Sequence, residues 1–138
     1  MKYILEVSDK QAEIMKIALE EYFRLRMNQT WDFADDICFE GFDCSNHTKE
    51  EFNERIERRN MFENELEKLM NKVHPLQLGN NKVRKQTEEM LRAQDIWQVL
   101  RHVLYLDRVG NINDSVADVR VPMSRTGEKL PSMQRKEV

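Results

Sequence analysis

Lys2-Tyr3-Ile4-Leu5-Glu6-Val7-Ser8-Asp9-Lys10-Gln11 carries two local signals of opposite kind in ten residues. Tyr3, Leu5 and Val7 alternate with Lys2, Ile4 and Glu6. A period of two reads as a strand with one buried face. Ser8 and Gln11 then stand at the spacing of a capping box. In that device the Ser hydroxyl accepts from the backbone three residues on, and the Gln side chain reaches back. The strand should therefore give way to a helix at Ser8. Ile14, Ala18, Tyr22 and Leu25 fall on one stripe of that helix, with Ile17 beside it. Asn28-Gln29-Thr30 interrupts the pattern, and Trp31, Ala34, Ile37 and Cys38 predict a shorter second helix.

Further along, Thr48-Lys49-Glu50-Glu51 is a second capping box. Phe52, Ile56, Phe62, Leu66, Leu69 and Val73 continue it as a long amphipathic helix, which Pro75 stops. Gly79-Asn80-Asn81 marks a break. Another long helix is predicted from Lys82 to Asp107, with Val83, Met90, Ile96, Val99, Leu100, Val103 and Leu106 as its core face. Val116, Val119 and Val121 then suggest a strand, with Pro122 at an edge or bend. Leu130 and Met133 suggest another, with Gly127 permitting a turn between them. The terminal strands have only each other to pair with. The expected fold is α+β and mostly helical, a single domain over residues 1–138. Its helical body would span about residues 8–107 and contain three main helices, and its C-terminal β segment would span about residues 115–136. The N-terminal strand and the C-terminal strands would form a small antiparallel sheet with the helices on one side. An edge of so small a sheet could recruit a second subunit.

Composition bounds the function. The chain has 138 residues, 40% hydrophobic and 34% charged, with 4 glycines and 3 prolines. That suits one folded, helix-rich domain. The net charge of −3 disfavours general binding to a nucleic acid duplex, which needs a large positive surface. No stretch reads as a signal peptide or a membrane span, so the cytoplasm is expected, with Cys38 and Cys44 reduced.

Five constellations could carry chemistry. Cys38, Cys44 and His47 have ligand-type side chains, but the gap is wide and a fourth zinc ligand is missing, so core and loop roles fit as well. Glu50, Glu51 and Glu54 place carboxylates at i and i+4, which suits Mg²⁺. They resemble half of the metal site in nucleotide pyrophosphatases of the MazG type. The second acidic motif of that family, Glu-x-x-Asp, is absent downstream, and acidic residues also complement a helix N-terminus. Arg55 and Arg59, with Arg58 and Lys49 nearby, share a face that could grip phosphates or pair with Glu51, Glu54 and Glu63. Trp97, Arg101, Tyr105 and Arg108 recur at i, i+4, i+8 and i+11, with Gln98 and His102 alongside. Aromatics interleaved with arginines suit a stacked base and bound phosphates, or else boundary core residues with arginines lying over them. Finally, Arg120, Ser124, Arg125, Thr126 and Gly127 could cradle a phosphate with hydroxyls and backbone amides, or form a charged terminal hairpin. No nucleophile–base signature is present, so a binding protein is expected in place of an enzyme.

Glu21-Tyr22-Phe23-Arg24-Leu25-Arg26-Met27, Trp31-Asp32-Phe33-Ala34-Asp35-Asp36, Asp95-Ile96-Trp97-Gln98-Val99-Leu100-Arg101-His102 and Ser124-Arg125-Thr126-Gly127-Glu128-Lys129-Leu130-Pro131 together resemble small bacteriophage proteins. Within that group the chain is similar to the Thoeris anti-defence sponge proteins of the first type, over nearly its whole length. The resemblance implies a counter-defence protein that binds a cyclic ADP-ribose isomer made by a bacterial TIR-domain sensor and holds it without cleavage. It also implies a homo-oligomer with no cofactor, and in some members a separate site for cyclic trinucleotides. Chemistry then selects the residues. Trp97 or Tyr105 would stack on the adenine, and Arg101, Arg108, Arg120 and Arg125 would hold the pyrophosphate, with Ser124 and Thr126 beside them. Arg24 or Arg26 would close the site, and Asn111 or Asn113 would bond a ribose or base edge. Arg55 and Arg59 are the candidates for a second nucleotide site. The competing expectations are a protein–protein inhibitor using the acidic stretch from Asp32 to Glu57, and a Mg-dependent nucleotide pyrophosphohydrolase using Glu50, Glu51 and Glu54.

Overall fold

A computed structural model describes residues 2–73, 86–109, 121–134 and 136 of the chain. The described elements are four helices in chain order: α1 (Asp9–Arg26), α2 (Trp31–Cys38), α3 (Lys49–Val73) and α4 (Glu88–Val109). Their starts follow the local signals. The Ser8 amide donates to Gln11 Oε1 at 2.9 Å, and the Gln11 amide donates to Ser8 Oγ at 3.3 Å. Thr48 and Glu51 repeat the device at 2.8 and 3.2 Å. At α4 the Met90 amide donates to Thr87 Oγ1 at 3.3 Å, a cap the sequence reading did not pick out. α1 ends at Asn28, whose φ of 62° is left-handed. The Gln29 amide bonds back to the Arg24 carbonyl there at 2.8 Å. Asn tolerates that conformation better than other residues with a Cβ, and it stops a helix in this way.

The fold is all-helical among the described residues, which corrects the expected α+β architecture with its small antiparallel sheet. Residues 2–7 lie in no strand, and Tyr3, Ile4 and Leu5 are exposed by 87, 94 and 68%. Residues 121–134 form no strand either. The physical reason lies on α4, whose side chains bond the backbone of the tail where a neighbouring strand would have done so. The Gln98 amide both donates to the Met123 carbonyl and accepts from its N–H, each at 3.3 Å. Val116 and Val119 lie outside the described residues.

The chain divides into two compact units, residues 1–23 with 86–138, and residues 24–85. In the first, α4 supplies most of the core: Met90, Ala93, Trp97, Val99, Leu100, Leu104 and Tyr105 are buried, with Ala12 and Phe23 of α1. Phe23 meets Trp97 edge-on at 5.3 Å between ring centroids. Most of the stripe predicted as the core of α1 turned outward, although Leu25 is half-buried and Tyr22 lines a cleft with Leu19, Ala93 and Ile96. Ile14 is 66% exposed, Ile17 and Tyr22 are 36% exposed, and Ala18 is exposed too. α1 is apolar on two faces, and periodicity alone does not choose between them. Ile96 of α4, also expected inside, is 37% exposed.

In the second unit α2 packs on α3. Phe33 faces Phe62 at 6.0 Å, and Phe39, Phe42, His47 and Phe52 cluster where the two helices are joined. Ala34, Met27 and Thr30 are buried, whereas α3 buries none of its own residues. No described helix is long and apolar enough to cross a membrane.

Candidate functional site

α4 brings the aromatic and basic residues of its sequence pattern onto one face. At ~100° per residue, Gln94, Trp97, Gln98, Arg101, His102, Tyr105 and Arg108 fall within an arc of about 140°. Trp97 and Tyr105 are buried at its edge and centre. Gln94, Gln98, Arg101 and His102 are half-buried, and Arg108 is exposed. The Arg101 guanidinium carbon sits 4.2 Å from the centroid of the Trp97 ring. A partly desolvated cation over an indole is attracted by the ring quadrupole, by about 1–2 kcal/mol. Two polar atoms of this face, Gln94 Oε1 and His102 Nδ1, are buried and meet no hydrogen-bond partner among the described residues. Folded proteins leave few such groups, so each one asks for a partner. The Arg101 guanidinium is the group on this face suited to an anion, and Gln94 Oε1 is an acceptor that calls for a donor.

The tail docks on the neighbouring face of the same helix. It runs antiparallel to α4 and meets one polar side chain every third residue. Gln98 holds Met123 as described above. Asp95, only 4% exposed, receives the Arg125 N–H at 2.9 Å, the Thr126 N–H at 3.3 Å and the Thr126 hydroxyl at 2.8 Å. Arg92 makes a forked pair with Glu128 at 2.7–3.1 Å. Within the tail, Ser124 Oγ donates to the Glu128 carbonyl at 2.7 Å, and the Glu128 N–H donates to Thr126 Oγ1 at 3.2 Å. Gly127 takes φ 78° to close the turn, a value a side chain would strain. The hydrogen bond from Arg92 holds the Glu128 carboxyl below its ordinary range, and Glu128 raises Arg92 in return.

The Arg125 and Thr126 amides and the Thr126 hydroxyl thus hold the Asp95 carboxylate where the sequence reading expected a phosphate, and Ser124 turns to the Glu128 carbonyl. The Arg125 side chain remains exposed.

The other predicted residues stand elsewhere. Arg24 and Arg26 belong to the second unit. Arg24 pairs with Asp32 at 2.8 Å, donates to Gln29 Oε1 at 3.2 Å and lies 6.0 Å from the Trp31 ring, bracing the turn between α1 and α2. Arg26 is exposed. Arg55 and Arg59 tie α2 to α3. Arg55 donates to the Cys38 carbonyl at 2.9 Å and lies over Phe42 at 5.5 Å. Arg59 holds Asp35 at 2.6 Å and also bonds Glu63 and the Trp31 carbonyl. The Asp35 hydrogen bond raises the Arg59 pKa above its ordinary value. A second nucleotide at Arg55 and Arg59 would compete with these carboxylates. Asn111, Asn113 and Arg120 lie outside the described residues.

His47, Glu51 and Glu54 of the α2–α3 region are engaged in local bonds. His47 joins the aromatic cluster, with Nδ1 3.1 Å from the Asp43 carbonyl, and both thiols are free. Glu51 is committed to its capping box and Glu54 to Arg58. Among the described residues no three His, Cys, Asp or Glu side chains are grouped to hold a metal ion.

Sequence reasoning missed Arg92, Asp95 and Gln98 as a docking row. A signal existed. Three polar residues at i, i+3 and i+6 share one face of α4. What the row would grip was not legible, because Met123, which Gln98 holds, lies 25 residues further along the chain. Among the described residues, fold and site together define an all-helical arrangement with a polar, aromatic helix face flanked by a docked tail. The chain matches no family model, no curated protein and no solved structure. No match ties it to the sponge proteins it resembles or to any other family.

Proposed function

We propose that this protein captures a cyclic nucleotide immune signal, a cyclic ADP-ribose isomer, and holds it intact. The observation that carries the reading is the α4 face, where Arg101 lies 4.2 Å from the Trp97 ring beside the buried, unpartnered Gln94 Oε1 and His102 Nδ1. Such a ligand presents an adenine, two riboses and a pyrophosphate. The adenine offers donors and acceptors to Gln94 and His102 and a face to Arg101, while Arg101 and Arg108 supply charge for the pyrophosphate. Trp97 itself is a wall of the site, because its ring is already packed against Phe23 and Arg101. No nucleophile or metal is needed for capture. A sponge must outcompete an effector for scarce signal, and a nanomolar constant corresponds to about −12 kcal/mol.

The test is isothermal calorimetry with cyclic ADP-ribose isomers, then native mass spectrometry and heat release of the bound compound. Intact release, with binding weakened at least tenfold by Arg101→Gln, supports capture. No heat with any isomer, or release of a cleaved product, overturns it.

A second reading, a protein–protein inhibitor, is favoured by one observation in the other unit. α3 buries none of its residues and exposes Glu50, Glu51, Glu54 and Glu57. Its ligand would be a basic protein surface, and charge reversal at Glu50 and Glu57 would abolish it while leaving nucleotide binding untouched.

A further inference from the structure

A cleft of about 240 Å³ opens in the first unit between α1 and α4. Leu19, Tyr22, Glu89, Arg92, Ala93 and Ile96 line it. Its walls are almost wholly apolar, so Glu89 and Arg92 contribute their aliphatic stems. Tyr22 on one helix and Ile96 on the other belong to stripes that the sequence put inside, yet they are 36 and 37% exposed. The cleft is where their surface stays open.

Size and charge together say what it takes. An apolar cavity of roughly 150 Å³ is enough for a benzene ring, so this one holds a ring with a short arm. Water inside it finds few polar partners, and an apolar body that displaces such water gains affinity. The charges around Arg92 exclude an anion. Its guanidinium is taken by the fork to Glu128 at 2.7–3.1 Å, and Glu88 stands 3.6 Å from it. Glu89 lines the cleft, is exposed, and makes no hydrogen bond or ion pair with any described residue. One guanidinium thus stands against three carboxylates, and the surroundings of the cleft are net negative. A protein partner would need about 800 Å² of surface on each side, which one slot framed by six side chains does not supply.

We propose that this cleft binds a small amphipathic amine, a molecule with one aromatic ring or a short aliphatic body and an ammonium on an arm of a few carbons. The body lies between Tyr22 and Ile96, over Leu19 and Ala93, with a ring offset or edge-on to that of Tyr22. The ammonium meets the Glu89 carboxylate in a charge-assisted hydrogen bond. The site is separate from the one proposed for the nucleotide. At ~100° per residue, its α4 residues are centred about 140° round the helix from Gln94 and Arg101. Neither reading rests on the other.

The experiment is an NMR titration of the full chain, with no nucleotide present. One sample receives 2-phenylethylammonium and the other 3-phenylpropionate, which carries the same ring and the opposite charge. The methyl signals of Leu19, Ala93 and Ile96 and the ring signals of Tyr22 report on the cleft. The amine should shift them saturably, with a Kd on the order of 1–10 mM for so few atoms. It should bind about three- to tenfold more tightly than the carboxylate. Glu89→Gln, at an exposed position, should cut that preference by at least about twofold. Ile96→Trp should fill the cleft and block both probes, and if that variant does not fold, the probe pair and Glu89→Gln still decide. No saturable shift of these signals by about 50 mM amine would overturn the proposal. So would a carboxylate that binds as tightly as the amine, a preference unchanged in Glu89→Gln, or undiminished binding in folded Ile96→Trp.

Discussion

Replacing Asp95 by alanine removes the anchor of the tail. The carboxylate accepts three hydrogen bonds, from the Arg125 N–H, the Thr126 N–H and the Thr126 hydroxyl, at 2.8–3.3 Å, and it is only 4% exposed. Bonds to a charged acceptor contribute about 1.5–3 kcal/mol each when buried. Here the donors sit on a surface segment, and water can satisfy them once the tail lifts, so the three together are worth about 3 kcal/mol. For a chain of this size that lowers Tm by ~10 °C if the tail and helices unfold together. The assay is amide hydrogen exchange followed by thermal unfolding. In Asp95→Ala the amides of Arg125, Thr126 and Glu128 should exchange at least tenfold faster. Asp95→Asn should be intermediate, because one oxygen still accepts from Arg125 while the new amide N–H₂ faces the donors of Thr126. If exchange at Arg125 and Thr126 is the same in Asp95→Ala as in wild type, the cradle does not depend on Asp95 and the assignment fails.

Other outcomes follow from the same geometry. Acid should loosen the tail: Glu128 has a lowered pKa, so the stability of its pair with Arg92 is present above the ordinary carboxylate value of 4.5 and is lost as pH falls through the lower folded value. Exchange at the Glu128 amide, followed from pH 6 to pH 3, checks this, and a protection that does not fall would contradict it. Arg59→Met should cost about 1–2 kcal/mol in urea unfolding, since it strips the partners of Asp35 and Glu63 at the joint between α2 and α3. Phe23→Ala should cost about 3–5 kcal/mol while Ile14→Ser stays within about 0.5 kcal/mol, which tests which face of α1 is inside. Trp97→Ala should destabilise by about 3–5 kcal/mol and Arg101→Gln by about 1–2 kcal/mol, the strength of its contact with the Trp97 ring, so the ligand test belongs to Arg101→Gln.

The helices were legible in the sequence because their causes are local. Ser8 with Gln11 and Thr48 with Glu51 fix two starts, and Asn28 fixes a stop. Each acts through residues within one turn, so no other part of the fold needs to be known. Trp31 to Cys38 and the end of α3 at Val73 could be read for the same reason. The aromatic and basic spacing on α4 was legible too, since it depends only on helical periodicity. Partnerships were not. The alternation from Tyr3 to Val7 records a capacity to pair, and whether a strand forms depends on what lies alongside. The described part of the tail was taken by Arg92, Asp95 and Gln98, three side chains whose reach is set by where the chain returns. The choice between the two apolar faces of α1 was likewise made by α4, through Phe23 and Trp97. Ser124, Thr126 and the backbone amides near Gly127 read in sequence as a cradle for a phosphate, because hydroxyls and free amides suit any anion. That the Arg125 and Thr126 donors are taken by an aspartate 30 residues earlier is a tertiary fact, decided by packing and invisible to any local pattern.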